Sequence, residues 1–424
     1  MVHHGQQVPP LARGAITCLT AGFWVLLAGC TGEAAGPRVA LSDSAGVRIV
    51  VSQRPRLAGV ASWTVSEAPV LAIGAEEGDP AQILFGVRGT VRLSDGRIVV
   101  ANQGTNELRY FDGTGTHLLS SGRTGSGPGE FQFLDAIWPG RSDTVFAADR
   151  ANNRITVFDA SGALARSFDV EPGPGISRPF KQGMLADGTI LASSVQRSGQ
   201  RNRQGVTRDS VAYLRYTPHG QFDGIVATVP FLELFATAVD GELVFDAVPF
   251  SQPAVVAVGR DRIFVAPEKA FELRGYGPGG TLEVLIRRSH DPVQVDRSQR
   301  EAYRTQALRD VTDPVERRQL ERLLDEVPYG AHQPAIASAL VDDDGYLWVE
   351  TFRFPAPAVS RWSVFSSDGS WETDVRLPKD FTPYQIGREF LLGVQTDALD
   401  SEQVVLYGLV RDGSGSPEAQ DPAS

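Results

Sequence analysis

The chain has 424 residues, 42% of them hydrophobic and 8% aromatic, so it is long enough to bury a sizeable core. Its 51 acidic residues outnumber 40 Lys and Arg, a formal net charge of −11 that argues against nucleic acid as a partner and against a polybasic membrane contact. Two cysteines, Cys18 and Cys30, leave no room for a disulfide framework.

In chain order, residues 1–29 come first. They supply a basic residue, Arg13, an apolar run from Ala15 to Ala28, and the small pair Ala28-Gly29, which together predict a secretory signal that is later removed. The run is too short to span a bilayer comfortably. Leu27-Ala28-Gly29-Cys30 resembles the lipobox of bacterial lipoproteins. That resemblance implies diacylation of Cys30 and a membrane held through lipid; with Thr31 in place of aspartate, the outer membrane, periplasmic side, is the expected address in a two-membrane bacterium. The cut removes Arg13 and Cys18 and no acid, taking the net charge from −11 to −12. Residues 30–43, small and polar with Gly32, Gly36 and Pro37, read as a flexible tether.

From residue 44 to 412 the chain repeats itself. Ser94-Asp95-Gly96-Arg97-Ile98-Val99-Val100 with Tyr110-Phe111-Asp112 returns as Asp143-Thr144-Val145-Phe146-Ala147 with Val157-Phe158-Asp159, 47 residues on. Each unit alternates apolar positions and breaks at Gly, Asp or Asn, the pattern of short antiparallel strands joined by tight turns. Weaker copies follow at Ala186–Leu191, Arg260–Val265, Asp344–Val349 and Gly387–Val394. Six units of about four strands predict an all-β fold, a six-bladed β-propeller. Gly74, Pro80 and Phe85 stand 48 residues before Gly122, Pro128 and Phe133, so Val70–Gly74 imitates an outermost strand, the one that the sixth unit lacks. The N-terminal strand is therefore expected to close the last blade and remove an open edge. Residues 413–424 read as a disordered tail.

Val145–Asp149, Asn152–Asp159 and Gly125–Phe131 resemble the NHL repeats of bacterial six-bladed propeller proteins, and Leu377-Pro378, Phe381-Thr382-Pro383 and Leu392-Gly393-Val394 resemble the closing stretch of lipoproteins of that group. The resemblance implies the propeller fold. It does not settle function, since such proteins include scaffolds, sensors, lyases and lactonases.

One segment breaks the β pattern. Ser298 with Glu301, and Asp313 with Pro314 and Glu316, are helix-start signals, and Leu320, Leu323, Leu324 and Val327 form an apolar stripe, so a two-helix insertion is predicted over 296–327. A lid across one propeller face would place Arg300, Arg304 and Arg318 near His332 and Arg353, a candidate partner-binding cluster for an anionic ligand. No pair among the six histidines has metal spacing, and Asp342-Asp343-Asp344-Gly345 lacks the spacing of a calcium loop, so no cofactor, metal or catalytic residue is expected. The reading that follows is a membrane-tethered extracytoplasmic propeller binding a protein, peptide or glycan in the cell envelope. The alternative is a lyase or lactonase-like hydrolase with its site in the axial funnel.

Overall fold

The computed structural model describes residues 38–411 apart from 58–62, 76, 177, 198, 200–202, 240–241, 268–269 and 398. The expected signal, Cys30 and the expected tail lie outside the described residues. Six antiparallel sheets follow one another along the chain. Their first strands are Val87–Arg92, Leu134–Pro139, Phe180–Met184, Val255–Val258, Ile336–Val341 and Phe381–Ile386. These strands stand beside one another from sheet to sheet, and Phe381–Ile386 touches Val87–Arg92, so the series returns on itself as a six-bladed β-propeller. Tyr384 Oη donates to the Val87 carbonyl at 3.2 Å, and the Arg92 N–H donates to Gln385 Oε1 at 2.7 Å, sealing that junction.

Position within a blade explains sequence. Second strands such as Ile98–Asn102 are buried on both faces and read as continuous apolar runs, whereas outer strands such as His117–Ser121 alternate. The core is accordingly split into six layers, each between consecutive blades. Blades one and two share Tyr110, Phe131, Leu134 and Phe158, and blades five and six share Trp348, Trp362, Leu391 and Tyr407. Burial of flat sheet faces against each other, rather than one central core, holds the ring.

The N-terminal stretch closes that ring. Leu71–Ile73 pairs with Glu402–Val410 through Ile73↔Val404 and Leu71↔Leu406, and Thr64–Val65 pairs with the same strand further on. Upstream, Val39–Ser44 and Val47–Ser52 form a hairpin about Ala45 and Gly46, both with positive φ. Val47–Ser52 lies parallel to Leu282–Arg288 and widens blade four to six strands. Residues 39–43 therefore belong to a strand and not to the tether assigned to 30–43. The reason is that Val50, fully buried among Ile286, Phe365 and Trp371, pulls the hairpin onto the blade. The chain then runs along blade five, where the Arg56 and Leu57 N–H groups donate to Trp371 and Glu372 carbonyls at 2.8 and 2.9 Å, before Trp63 packs on Tyr346 and Trp348.

The inserted segment forms two helices, α1 (Arg297–Ala307) and α2 (Pro314–Glu326). Asp313 caps α2, accepting from the Val315 and Glu316 N–H groups at 2.8 Å with Pro314 at the first helical position. α1 is capped by Asp296, which accepts from the Gln299 N–H and the Ser298 hydroxyl, so the cap lies two residues before Ser298, the expected start signal. A short stem joins the insertion to the ring, Val295 N–H to the Ala331 carbonyl and Gln333 N–H to that of Val293. The apolar stripe of α2 is thin, with Leu324 its one buried residue. Docking relies instead on Phe250, whose ring lies 5.6, 6.5 and 5.3 Å from those of Tyr303, Tyr329 and Phe354. Blade three adds an unexpected extension: Gly205–Tyr216 and Phe222–Val239, 12 and 18 residues, outrun their neighbours and carry a fifth strand, Glu242–Ala247. Thr237 of this extension donates to Glu326 of α2 at 3.0 Å.

Candidate functional site: the axial cavity

All six inner strands run the same way, so the ring has a leading end, where they begin, and a trailing end, where they finish. A cavity of about 690 Å³ opens at the trailing end. Its wall is apolar, built from Trp138, Met184, Val256, Val258, Leu340 and Val341 on four inner strands. The turns that follow those strands supply a polar rim, with Arg141, Asp187, Arg260 and Asp343. Apolar walls with a few placed polar groups are the usual composition of a ligand site.

The rim is differentiated. Arg141 donates to the Ala186 carbonyl at 3.1 Å and ties two turns together. Asp343 accepts from Gln385 Nε2 at 2.9 Å, and burial pushes its carboxyl above the usual range while Arg260 and Arg411 pull the other way. Arg260 itself is exposed and forms no side-chain hydrogen bond or ion pair among the described residues, so its guanidinium is available to a ligand. The neighbouring Asp342 is a structural group. It accepts from the Asp344 and Tyr346 N–H groups, from Trp348 Nε1 at 2.8 Å and from Arg411 at 2.9 Å, and it is 2% exposed. That bonding explains the acidic run 342–344 as a turn built around one buried carboxylate. Among the described residues no three His, Cys, Asp or Glu side chains converge on a point that could hold a metal ion, and no helix is long and apolar enough to cross a membrane.

The residues singled out from sequence lie at the other end. Arg300, exposed on α1, stands over the Tyr329 ring at 5.5 Å, and Arg304 pairs with Asp325 at 2.6 Å. Arg318 is exposed on α2, and His332 is exposed on the stem, where its backbone bridges to Gln294. Arg353, also exposed, donates to the Phe352 carbonyl, and its charge acts on Arg288 and His290. Arg300 and Arg304 thus share Tyr329, while Arg353 belongs to a separate group. Burial first, then like charge, holds Arg288 down to about 10, and its guanidinium is stacked 3.9 Å from Phe271 and 4.8 Å from Trp371. Because the insertion leaves the ring just before an inner strand starts, it stands at the leading end and is no lid over the axial cavity. The cavity residues Arg141, Arg260, Asp343 and Tyr384 escaped the sequence reading. Lining up the units by the turn after each inner strand would have gathered Arg141, Asp187, Arg260 and Asp343, since all occupy that turn.

With that geometry in view, comparisons locate the chain among known proteins. A family model described as a 6-bladed beta-propeller, DUF5128, matches residues 80–172, which hold all the strands of blades one and two. Similar solved structures include a protein of Bacteroides fragilis NCTC 9343 provisionally named as exported, at 12% identity and TM-score 0.46 over 86% of this chain and 99% of that one. A DUF4221 family member from Bacteroides vulgatus ATCC 8482 shares 10% identity at TM-score 0.47, over 82% and 98%. Virginiamycin B lyase from Staphylococcus aureus shares 10% at TM-score 0.38, over 82% and 99%. No curated protein matches the chain.

Proposed function

We propose that this chain is a lipid-anchored, NHL-like propeller of the bacterial cell envelope that binds a protein, peptide or glycan partner through its axial cavity. The cavity carries the reading: an apolar wall contributed by four blades, with the unpaired Arg260 beside Asp343 at its mouth. The address rests on the signal-like residues 1–29 and on Cys30, the only cysteine of the chain that follows them. In a two-membrane bacterium, Thr31 after Cys30 in place of aspartate supports the outer membrane as the address. Cys30→Ser should shift the protein from the membrane to the soluble fraction or leave it at its precursor mobility; unchanged fractionation and mobility would refute the anchor. For the cavity, the test is capture from an envelope extract by the parent and by Arg260→Glu. A ligand that enters the cavity is lost in the variant, and equal recovery by both proteins would sink the binding reading.

One observation favours a second reading, an enzyme of lyase or lactonase type. Asp343 stands exposed at the cavity mouth beside Arg260, with partial desolvation raising its carboxyl, the direction that favours a general acid or base. Turnover of a lactone or cyclic ester by the parent, lost in Asp343→Asn while Arg260→Glu still captures its partner, would select it.

A further inference from the structure

A second surface lies at the leading end, away from the axial cavity and independent of it. Phe85 and Phe133 precede the inner strands of blades one and two, and Phe180 is the first residue of the inner strand of blade three. Here Phe85 is 71% exposed and Phe180 is 41% exposed. Two arginines thread between them: Arg150 lies 4.1 Å from the Phe133 centroid and 5.6 Å from that of Phe180, and Arg88 lies 5.8 Å from Phe133. Neither arginine forms a side-chain hydrogen bond or ion pair among the described residues. The nearby carboxylates are occupied. Asp149 accepts four backbone N–H groups and the Asn152 amide, Glu402 accepts from the Val87 N–H, and Asp135 faces the buried Lys181 ammonium.

Two free guanidinium groups among exposed ring faces form a positive island on a strongly acidic molecule. The rings come from three successive blades, so the surface offers more than one platform. Its complement is a chain that presents several apolar ring faces together with carboxylates. We infer that this arc binds an acidic oligosaccharide, with uronate sugars lying on Phe85 and Phe180 and their carboxylates paired to Arg88 and Arg150. An acidic peptide and an anionic lipid surface both supply the charge without sugar ring faces to lie on the exposed phenyl rings.

Calorimetric titration of the full chain in mild detergent with hexagalacturonate tests the assignment, with maltohexaose, hexaglutamate and anionic vesicles as the other probes. Hexagalacturonate should bind, more weakly as salt rises. The Arg88→Gln/Arg150→Gln and Phe85→Ala/Phe180→Ala variants should each lose about tenfold or more in affinity, while Arg260→Glu should bind as the parent does. Phe85, Arg88 and Phe180 are exposed and Arg150 is half-buried, and thermal unfolding at the parental midpoint will show the ring intact; a third variant, Phe85→Leu, keeps the apolar bulk and removes the ring face, and should bind more weakly than the parent. The inference is overturned by no binding of hexagalacturonate at roughly millimolar concentration, by unchanged affinity in both double variants, or by hexaglutamate or vesicles binding as tightly as the sugar. Loss in Arg260→Glu alone would assign the sugar to the axial cavity instead.

Discussion

Asp149 shows what a single side chain contributes to a blade. Fully buried, it accepts from the N–H groups of Gln132, Phe133, Ala151 and Asn152 and from the Asn152 amide, satisfying donors of two loops at once. Asp149→Ala strands those donors and should cost about 3 kcal/mol, whereas Asp149→Asn, which keeps one acceptor oxygen, should cost less. Urea unfolding reads this as a lower midpoint at constant slope. Lys181 carries the opposite kind of signature. It is 5% exposed, and burial outweighs the attraction of Asp135 and Asp149 to lower its pKa to about 8 from 10.5. Between those two values the unfolded chain binds more protons than the folded one, so this residue makes stability rise as pH increases from about 8 toward 10. Lys181→Met removes that charge. Its stability relative to the parent should therefore be greatest near pH 7 and shrink by pH 9.5, and a difference independent of pH would refute the assignment. The two roles differ in legibility: an aspartate in such a turn is expected to bond nearby backbone amides, as Asp149 does, whereas the burial of Lys181 depends on blade two standing beside it and leaves no mark in the sequence.

Among elements, the two N-terminal additions differ in kind. Leu71–Ile73 is the outer strand of blade six, while the hairpin of Val39–Ser52 is an appendage that covers blade four. A chain beginning at residue 58 should thus stay soluble and unfold cooperatively at a lower temperature, having lost the burial of Val50. A chain beginning at residue 75 leaves Glu402–Val410 with an open edge and should aggregate. Light scattering during thermal unfolding separates the two, and a well-behaved 75–424 chain would contradict the closure. The closing strand could be read in advance because Gly74, Pro80 and Phe85 repeat the spacing of Gly122, Pro128 and Phe133. The hairpin could not, because Val39–Ser44 pairs through its backbone and buries only part of Val39, which leaves no apolar period to detect. The 18-residue strand of blade three was missed for the converse reason: Ile225–Val239 is apolar at most positions without alternation, and Pro230 within it reads as a break although the strand runs through it.

For the whole molecule, the fold was legible and the candidate site was not, and the two facts share a cause. A propeller writes its architecture repeatedly, about every 47 residues, so six imperfect copies reinforce one another. Its axial cavity is assembled from one turn of each of several blades, so Arg141, Asp187, Arg260 and Asp343 never appear near one another along the chain. Closure of the ring has a temporal consequence as well. Ile73 must find Val404, across more than three quarters of the chain, before blade six has its outer edge. Contacts so distant in sequence form late and slowly. During synthesis the residues of Leu71–Ile73 emerge early and wait for a partner that is made almost last, so the finished ring cannot form on a partial chain. A protein built this way stays threadable until its final strand is complete, which suits any polypeptide that must pass through a narrow translocation channel before it folds.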